Sequence, residues 1–136
     1  MEPEAFLKTI YLGDRACKGL VLDSWEKKLK LLVDVVSRVR DESGQWNYYD
    51  GEDIEDGYVV FDGLREVRFD PSGPLPNDYI NSISVRRAES DTDVLYEFSI
   101  SISSVDAEGG SREVIVTAIA SDVYIEDPQK PGQPVR

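Results

Sequence analysis

Histidine is absent from this chain, and no other absence excludes as much. Without imidazole there is no Ser-His-Asp or Cys-His nucleophile, no zinc held by ring nitrogen and no charge switch near neutral pH. Cysteine occurs once, at Cys17, which excludes an internal disulfide and any multi-cysteine metal site. With no base to activate it, that thiol reads as a small, partly buried apolar group. Long apolar runs are also missing. None approaches the roughly 18 to 20 residues that cross a bilayer as a helix. The start, MEPEAFLKTIYLGDR, is acidic where a secretory signal is basic. The sequence is therefore expected to be cytoplasmic and without a membrane partner. The chemistry left to it is that of carboxylate, Lys, Tyr and Arg.

Positive charge is the next scarcity. Lys and Arg number 15 against 27 Asp and Glu, a formal charge of −12. Residues 1–40 hold eight cations and six anions, and residues 41–136 hold seven and twenty-one, so the whole negative excess lies after Arg40. Such a field repels nucleic-acid phosphates and anionic lipid, and it speeds encounter with a basic protein. Solubility alone would also account for acidity.

What is present suits one globular domain. At 136 residues, 40% of them apolar and 10% aromatic, the chain can bury a single core. We place that domain at residues 1–127, followed by a flexible tail at 128–136 whose prolines and lack of apolar pattern give it no core role. Glu4 to Leu12 has the spacing of a short helix, with Phe6, Leu7, Ile10 and Tyr11 on one stripe. From Gly19 onward the texture is that of strands separated by Gly, Pro and Asp. Residues 26–40 fit both periods. Leu29, Leu31, Val33, Val35 and Val39 alternate as in a strand, whereas Trp25, Leu29, Leu32, Val36 and Val39 trace a helical stripe, and the many valines favour the strand.

Further along, YVVFDGLREVRF places Asp62–Gly63 either in a tight turn or in a bulge that bends one strand, and the shortness of the arms favours the bulge. Residues 71–78, PSGPLPND, are a loop because three prolines remove donors, and YINSISV returns to strand. Val94, Tyr96, Phe98, Ile100 and Ile102 define one face of a long strand. Its antiparallel partner, after a turn at Gly109–Gly110, carries Ile115, Ile119, Val123 and Ile125 in phase. The expected fold is mainly β, an antiparallel sandwich or strongly curved barrel-like sheet of seven or eight strands with a short N-terminal helix.

The segment WNYYDGEDIEDG, residues 46–57, concentrates aromatics and acids. It fails as a calcium loop, since placing Gly57 at the sixth position puts Ile54 where an oxygen ligand belongs. A glycosidase pair needs an enclosed cleft, which a crowded acidic turn is poorly placed to provide. Trp46, Tyr48 and Tyr49 could stack on a sugar ring, or Trp46 and Tyr48 could share a strand face in the core. The third reading is a recognition surface: Tyr48, Tyr49, Asp50, Glu52, Asp53, Glu55 and Asp56 as partner-binding residues for a basic protein. Lys27, Lys28 and Lys30 form the basic cluster, read as a solvated strand start that blunts a sheet edge.

Over residues 6–85 the sequence, with its WN-aromatic-acidic segment, VF-x-G strand and PSG-x-x-PND loop, resembles a family of small acidic bacterial proteins without an assigned activity. The resemblance implies no catalytic residue. In size and acidity the chain is also similar to polymorphic-toxin immunity proteins, small acidic binders of basic toxins. We therefore expect a non-enzymatic protein-binding domain with no cofactor, monomeric or homodimeric, in its sharper form a toxin-neutralising immunity protein. The alternative is a β-sandwich that binds a small ligand or carbohydrate.

Overall fold

The alternating segments become strands in the computed structural model, which describes residues 2–39, 53–90 and 92–136. One helix, α1 (Pro3–Leu7), precedes eleven strands among the described residues: β1 (Ile10–Tyr11), β2 (Cys17–Asp23), β3 (Lys28–Val33), β4 (Val35–Arg38), β5 (Ile54–Glu55), β6 (Tyr58–Asp62), β7 (Glu66–Asp70), β8 (Ile80–Ala88), β9 (Leu95–Val105), β10 (Ser111–Ala120) and β11 (Asp122–Glu126). They form two four-stranded antiparallel sheets, ordered β11-β6-β3-β2 and β7-β10-β9-β8, and a small sheet β1-β4-β5. The fold class read from the sequence is thus the observed one.

One core lies between the large sheets. Leu29, Leu31, Val59, Phe61, Val123 and Ile125 of the first meet Phe98, Ile100, Ile102, Val114 and Val116 of the second, with the Phe61 and Phe98 ring centroids 4.9 Å apart. Aromatic pairs at that distance add about 0.5–1.5 kcal/mol beyond the area they bury.

The sheets share their backbone at a corner. β6 pairs with β11 and β7 with β10, so two strands run through both sheets and bend between them. The Arg65 N–H donates to the Ile119 carbonyl at 2.7 Å and the Ser121 N–H to that of Asp62 at 3.0 Å, so residues 63–65 face residues 120–121. The bulge favoured at Asp62–Gly63 is this bend, a common way for strands to switch sheets. Gly63 has φ +66°, and a Cβ there would lie 2.0 Å from Ser121 Oγ, so the corner admits only glycine without rearrangement.

The opposite edges, β2 and β8, touch at one end through the antiparallel bridge Ala16–Tyr79, where the Cys17 N–H donates to the Asp78 carbonyl. Beyond it they do not pair, and the sheet stays open.

Four expectations are corrected. The helix stops at Leu7 because Thr9 Oγ1 donates to the Phe6 carbonyl, and Ile10–Tyr11 instead pairs with Arg38 and Ser37 of β4. In β10 the core face is Val114, Val116, Ala118 and Ala120, with Ile115 and Ile119 half-buried on the outer face. Both faces of β10 are apolar, so alternation alone could not set its phase, and alanines are what fit inside the bend. Val94 is exposed, the strand starting with buried Leu95. Finally, the end of the chain returns to the sheet. Ile125 and Val135 exchange backbone hydrogen bonds at 2.9 and 2.7 Å, and Val135 packs against the core, a core contact at a position where the sequence pattern gave none.

Within the ambiguous stretch, Lys28–Val33 and Val35–Arg38 are strands. Leu29, Leu31 and Val33 are buried in alternation. Asp34 then interrupts the run, its Oδ1 accepting from the Ala16 and Val35 N–H groups at 3.0 and 2.9 Å, and the phase shifts so that Val36 and Arg38 are buried. Gly109, with φ +83°, closes the β9–β10 hairpin over Asp106, whose Oδ1 accepts from the Glu108 and Gly110 N–H groups.

Candidate partner-binding site

The acidic segment enters the described part of the structure at Asp53. Tyr48, Tyr49, Asp50 and Glu52, together with Trp46, lie outside the described residues; Asp53, Glu55 and Asp56 lie within them and are exposed. β5 pairs with β4 through Val35–Glu55 and Val36–Ile54, which turns the Ile54 side chain toward the core and Glu55 outward. Asp56 then takes a left-handed conformation, φ 52°, a conformation acidic residues tolerate better than branched ones. Its N–H donates to the Asp34 carbonyl at 2.8 Å, and the Gly57 carbonyl accepts from Val33.

Gly57 is packed so closely that a Cβ would approach Val36 Cγ2 to 2.7 Å. Glu55 and Asp56 are therefore carried on backbone held by β4 and by Asp34, and little ordering entropy remains to be lost when something binds them.

Their electrostatic situations differ. Asp56 Oδ1 accepts from Lys18 Nζ at 2.6 Å, with both side chains about half exposed, and this hydrogen bond holds the Lys18 ammonium above its usual range. Among the described residues no cation pairs with Asp53 or Glu55. Asp34 is half-buried and committed to two backbone amides.

The cations elsewhere are largely occupied within the fold. Arg65 pairs with Asp93, Arg68 with Glu66 and Glu97, Arg86 with Glu97 and Arg136 with Asp122. The basic cluster does not blunt an edge as the sequence suggested, because β3 lies inside its sheet, between β2 and β6. Lys27 occupies the β2–β3 turn with φ 58°. Lys30 donates to Glu126 at 2.8 Å and sits over the Tyr58 ring. Burial opposes the charge of Glu126, but the Lys30 ammonium and the Gly132 N–H hold its carboxyl below the ordinary value. Arg38 is buried, donating to Thr9 Oγ1 and lying over the Phe6 ring.

A surface groove of about 590 Å³ runs between the proline loop and the β9–β10 tip, past Leu75, Asn77, Val105 and Arg112. Asn77 acts there as a surrogate strand residue: its Oδ1 accepts from the Val105 N–H and its Nδ2 donates to the Val105 carbonyl. Among the described residues no three Cys, Asp or Glu side chains group as a metal site, and no helix is long and apolar enough to cross a membrane.

Across residues 1–136 the chain matches the family of unknown function DUF6258. It belongs to that family. No curated protein and no solved structure matches the DUF6258 chain. The expectation of a family without assigned activity is met by this match, which spans the whole sequence rather than residues 6–85 alone. What the site can do follows from its residues: two exposed carboxylates, Asp53 and Glu55, with no cation paired to them among the described residues, attract ammonium and guanidinium groups.

Proposed function

We propose that this DUF6258 protein is a non-catalytic binding domain that receives a basic protein on the turn carrying Asp53, Glu55 and Asp56. The sharper form of the proposal is an immunity protein that occupies the basic surface of a toxin. The observation that supports it is the exposure of Asp53 and Glu55 with no cation paired to them among the described residues, in a chain of charge −12 in which Lys18, Lys30, Arg65, Arg68, Arg86 and Arg136 already have acidic partners. Charge of this kind raises association rate more than it lengthens residence.

The test is kinetic. The chain is immobilised and challenged with a panel of proteins rich in Lys and Arg, including the product of the gene adjacent to its own. A specific basic partner binds with an on-rate that falls steeply between low and physiological salt. Asp53→Asn combined with Glu55→Gln slows association several-fold and leaves the melting temperature in place. Association unchanged by that pair removes the turn from the interface. Binding confined to a glycan panel and indifferent to salt replaces the proposal with carbohydrate recognition.

A further inference from the structure

β11 is the outer strand of its sheet and pairs with β6 on one side. The backbone groups it turns away from β6 are those of Val123 and Ile125. Residues 127–136 fold back over this edge as a strap. Ile125 and Val135 exchange both backbone hydrogen bonds, at 2.9 and 2.7 Å, and the side chain of Val135 packs against the core. Arg136 turns to the other face. Its guanidinium donates to the two oxygens of Asp122 at 2.9 and 2.7 Å and lies over the Tyr124 ring, 5.4 Å from the centroid. Successive residues of a strand face opposite sides, so the edge receives an apolar side chain followed by arginine: a socket inward, a carboxylate and an aromatic face outward.

The strap fills this edge incompletely. Pro128, Pro131 and Pro134 have no N–H to add to a ladder, and among the described residues the strap pairs with β11 at Ile125 alone. At Val123 side chains stand in for strand bonds: Asp122 Oδ1 accepts from the N–H at 2.8 Å, and Arg136 donates to the carbonyl at 3.3 Å. Residues 129–134 are exposed, and the Arg136–Asp122 pair meets water on both sides, the kind of pair that holds little. An extended segment without proline would bond at both Ile125 and Val123, and so outdo the strap in ladder bonds.

Charge selects the occupant. Asp122 stands directly opposite Asp62 of β6, and among the described residues Asp62 pairs with no cation. Like charges so placed repel, so a segment that removes Arg136 must bring a cation in its place. We infer that the β11 edge is a docking site for an extended segment of the partner, an apolar residue followed by arginine, and that residues 127–136 are a resident mimic which that segment displaces. This rests on the reading of a basic partner and adds a strand contact to the acidic turn. The two lie at the same end of the sheet, since Glu126 of β11 is opposite Tyr58 of β6, two residues past Asp56.

Fluorescence anisotropy of the full chain with the labelled peptide Thr-Lys-Val-Arg-Val-Thr, at physiological salt, tests this. Its Val-Arg takes the places of Val135 and Arg136, and its second valine reaches Val123. Saturable binding is expected. It tightens about tenfold in Val135→Ser combined with Arg136→Ser, which releases the strap and removes its competition, in a chain of unchanged circular dichroism spectrum. Asp122→Asn weakens it about tenfold, as does exchanging the arginine and first valine of the peptide at constant charge. Hydrogen exchange reads the strap directly: the Ile125 N–H exchanges well before the amides shared by β6 and β11, and the peptide slows it. Asp53→Asn with Glu55→Gln, the variant that tests the turn, leaves the peptide's affinity in place, so the two readings fail separately. No binding to the strap-released variant, equal affinity of that variant and the wild type, equal affinity for the rearranged peptide, or an Ile125 amide that exchanges only on global unfolding overturns the inference. So does a two-chain mass that the released strap abolishes, which would make the occupant the strap of a second copy.

Discussion

Glu126 is expected to be the most costly carboxylate to neutralise. Its side chain is 7% exposed and accepts from Lys30, itself 23% exposed, at 2.8 Å, with the Gly132 N–H at 3.3 Å as a second donor. Glu126→Gln keeps an acceptor but leaves Lys30 without its anion. Breaking a fully buried pair from one side costs about 3 to 5 kcal/mol, and the part of Lys30 that still meets water brings this to about 1 to 2 kcal/mol. At about 2.1 cal/mol/K of unfolding entropy per residue, the 136 residues give roughly 0.29 kcal/mol/K, so the melting temperature should fall by about 3 to 7 °C. The pH dependence follows from the lowered carboxyl of Glu126. A carboxyl held below its unfolded value, about 4.3, stabilises the fold above that value, and the contribution disappears as the pH falls through the folded value. The difference between wild type and variant, measured by differential scanning calorimetry, should therefore be full at pH 7 and shrink toward zero in acid. Replacing both partners by hydrocarbon, Lys30→Met with Glu126→Leu, should recover most of the loss. A gap that persists unchanged at low pH, or a double variant worse than the single one, would refute the ion-pair reasoning.

Two further outcomes follow from the corner and the core. Gly63→Ala forces a left-handed φ on alanine and drives its Cβ to 2.0 Å from Ser121 Oγ. A loss of about 1 to 3 kcal/mol in urea unfolding is expected, and Ser121→Ala in the same chain should restore only the part due to the hydroxyl clash. Burial pushes the Cys17 thiol up, so a thiol reagent should label the native protein slowly and at a rate set by unfolding; prompt labelling at neutral pH would show an accessible thiol.

Much of the architecture was legible because alternation was strong where burial is one-sided. β3 and β9 each set Leu, Ile or Phe against Lys, Ser or Glu, and the structure buries those apolar positions. β10 was legible as a strand and illegible in phase, since Val114, Ile115 and Val116 offer apolar groups to both faces. The bend at Gly63 could be read from an Asp-Gly between arms too short for a hairpin. Its role as the junction of two sheets depends on the pairing of β7 with β10, a contact distant in sequence that no local pattern encodes. The same holds for Lys30 and Glu126, whose meeting requires β3 and β11 to flank β6. Of the acidic site, the sequence identified Asp53, Glu55 and Asp56 as exposed. It did not reveal that Lys18 holds Asp56, because that ion pair spans 38 residues. Trp25 was legible only as a possible helix position; its exposure follows from its place in a turn.

The bend has a further consequence for how the molecule comes apart. Since β6–β7 and β10–β11 each belong to both sheets, no cut between the layers leaves an intact half. Loosening either layer drags the hydrogen-bond ladder of the other with it, and slow amide exchange should disappear from both in a single event, as in a hinge riveted through both leaves.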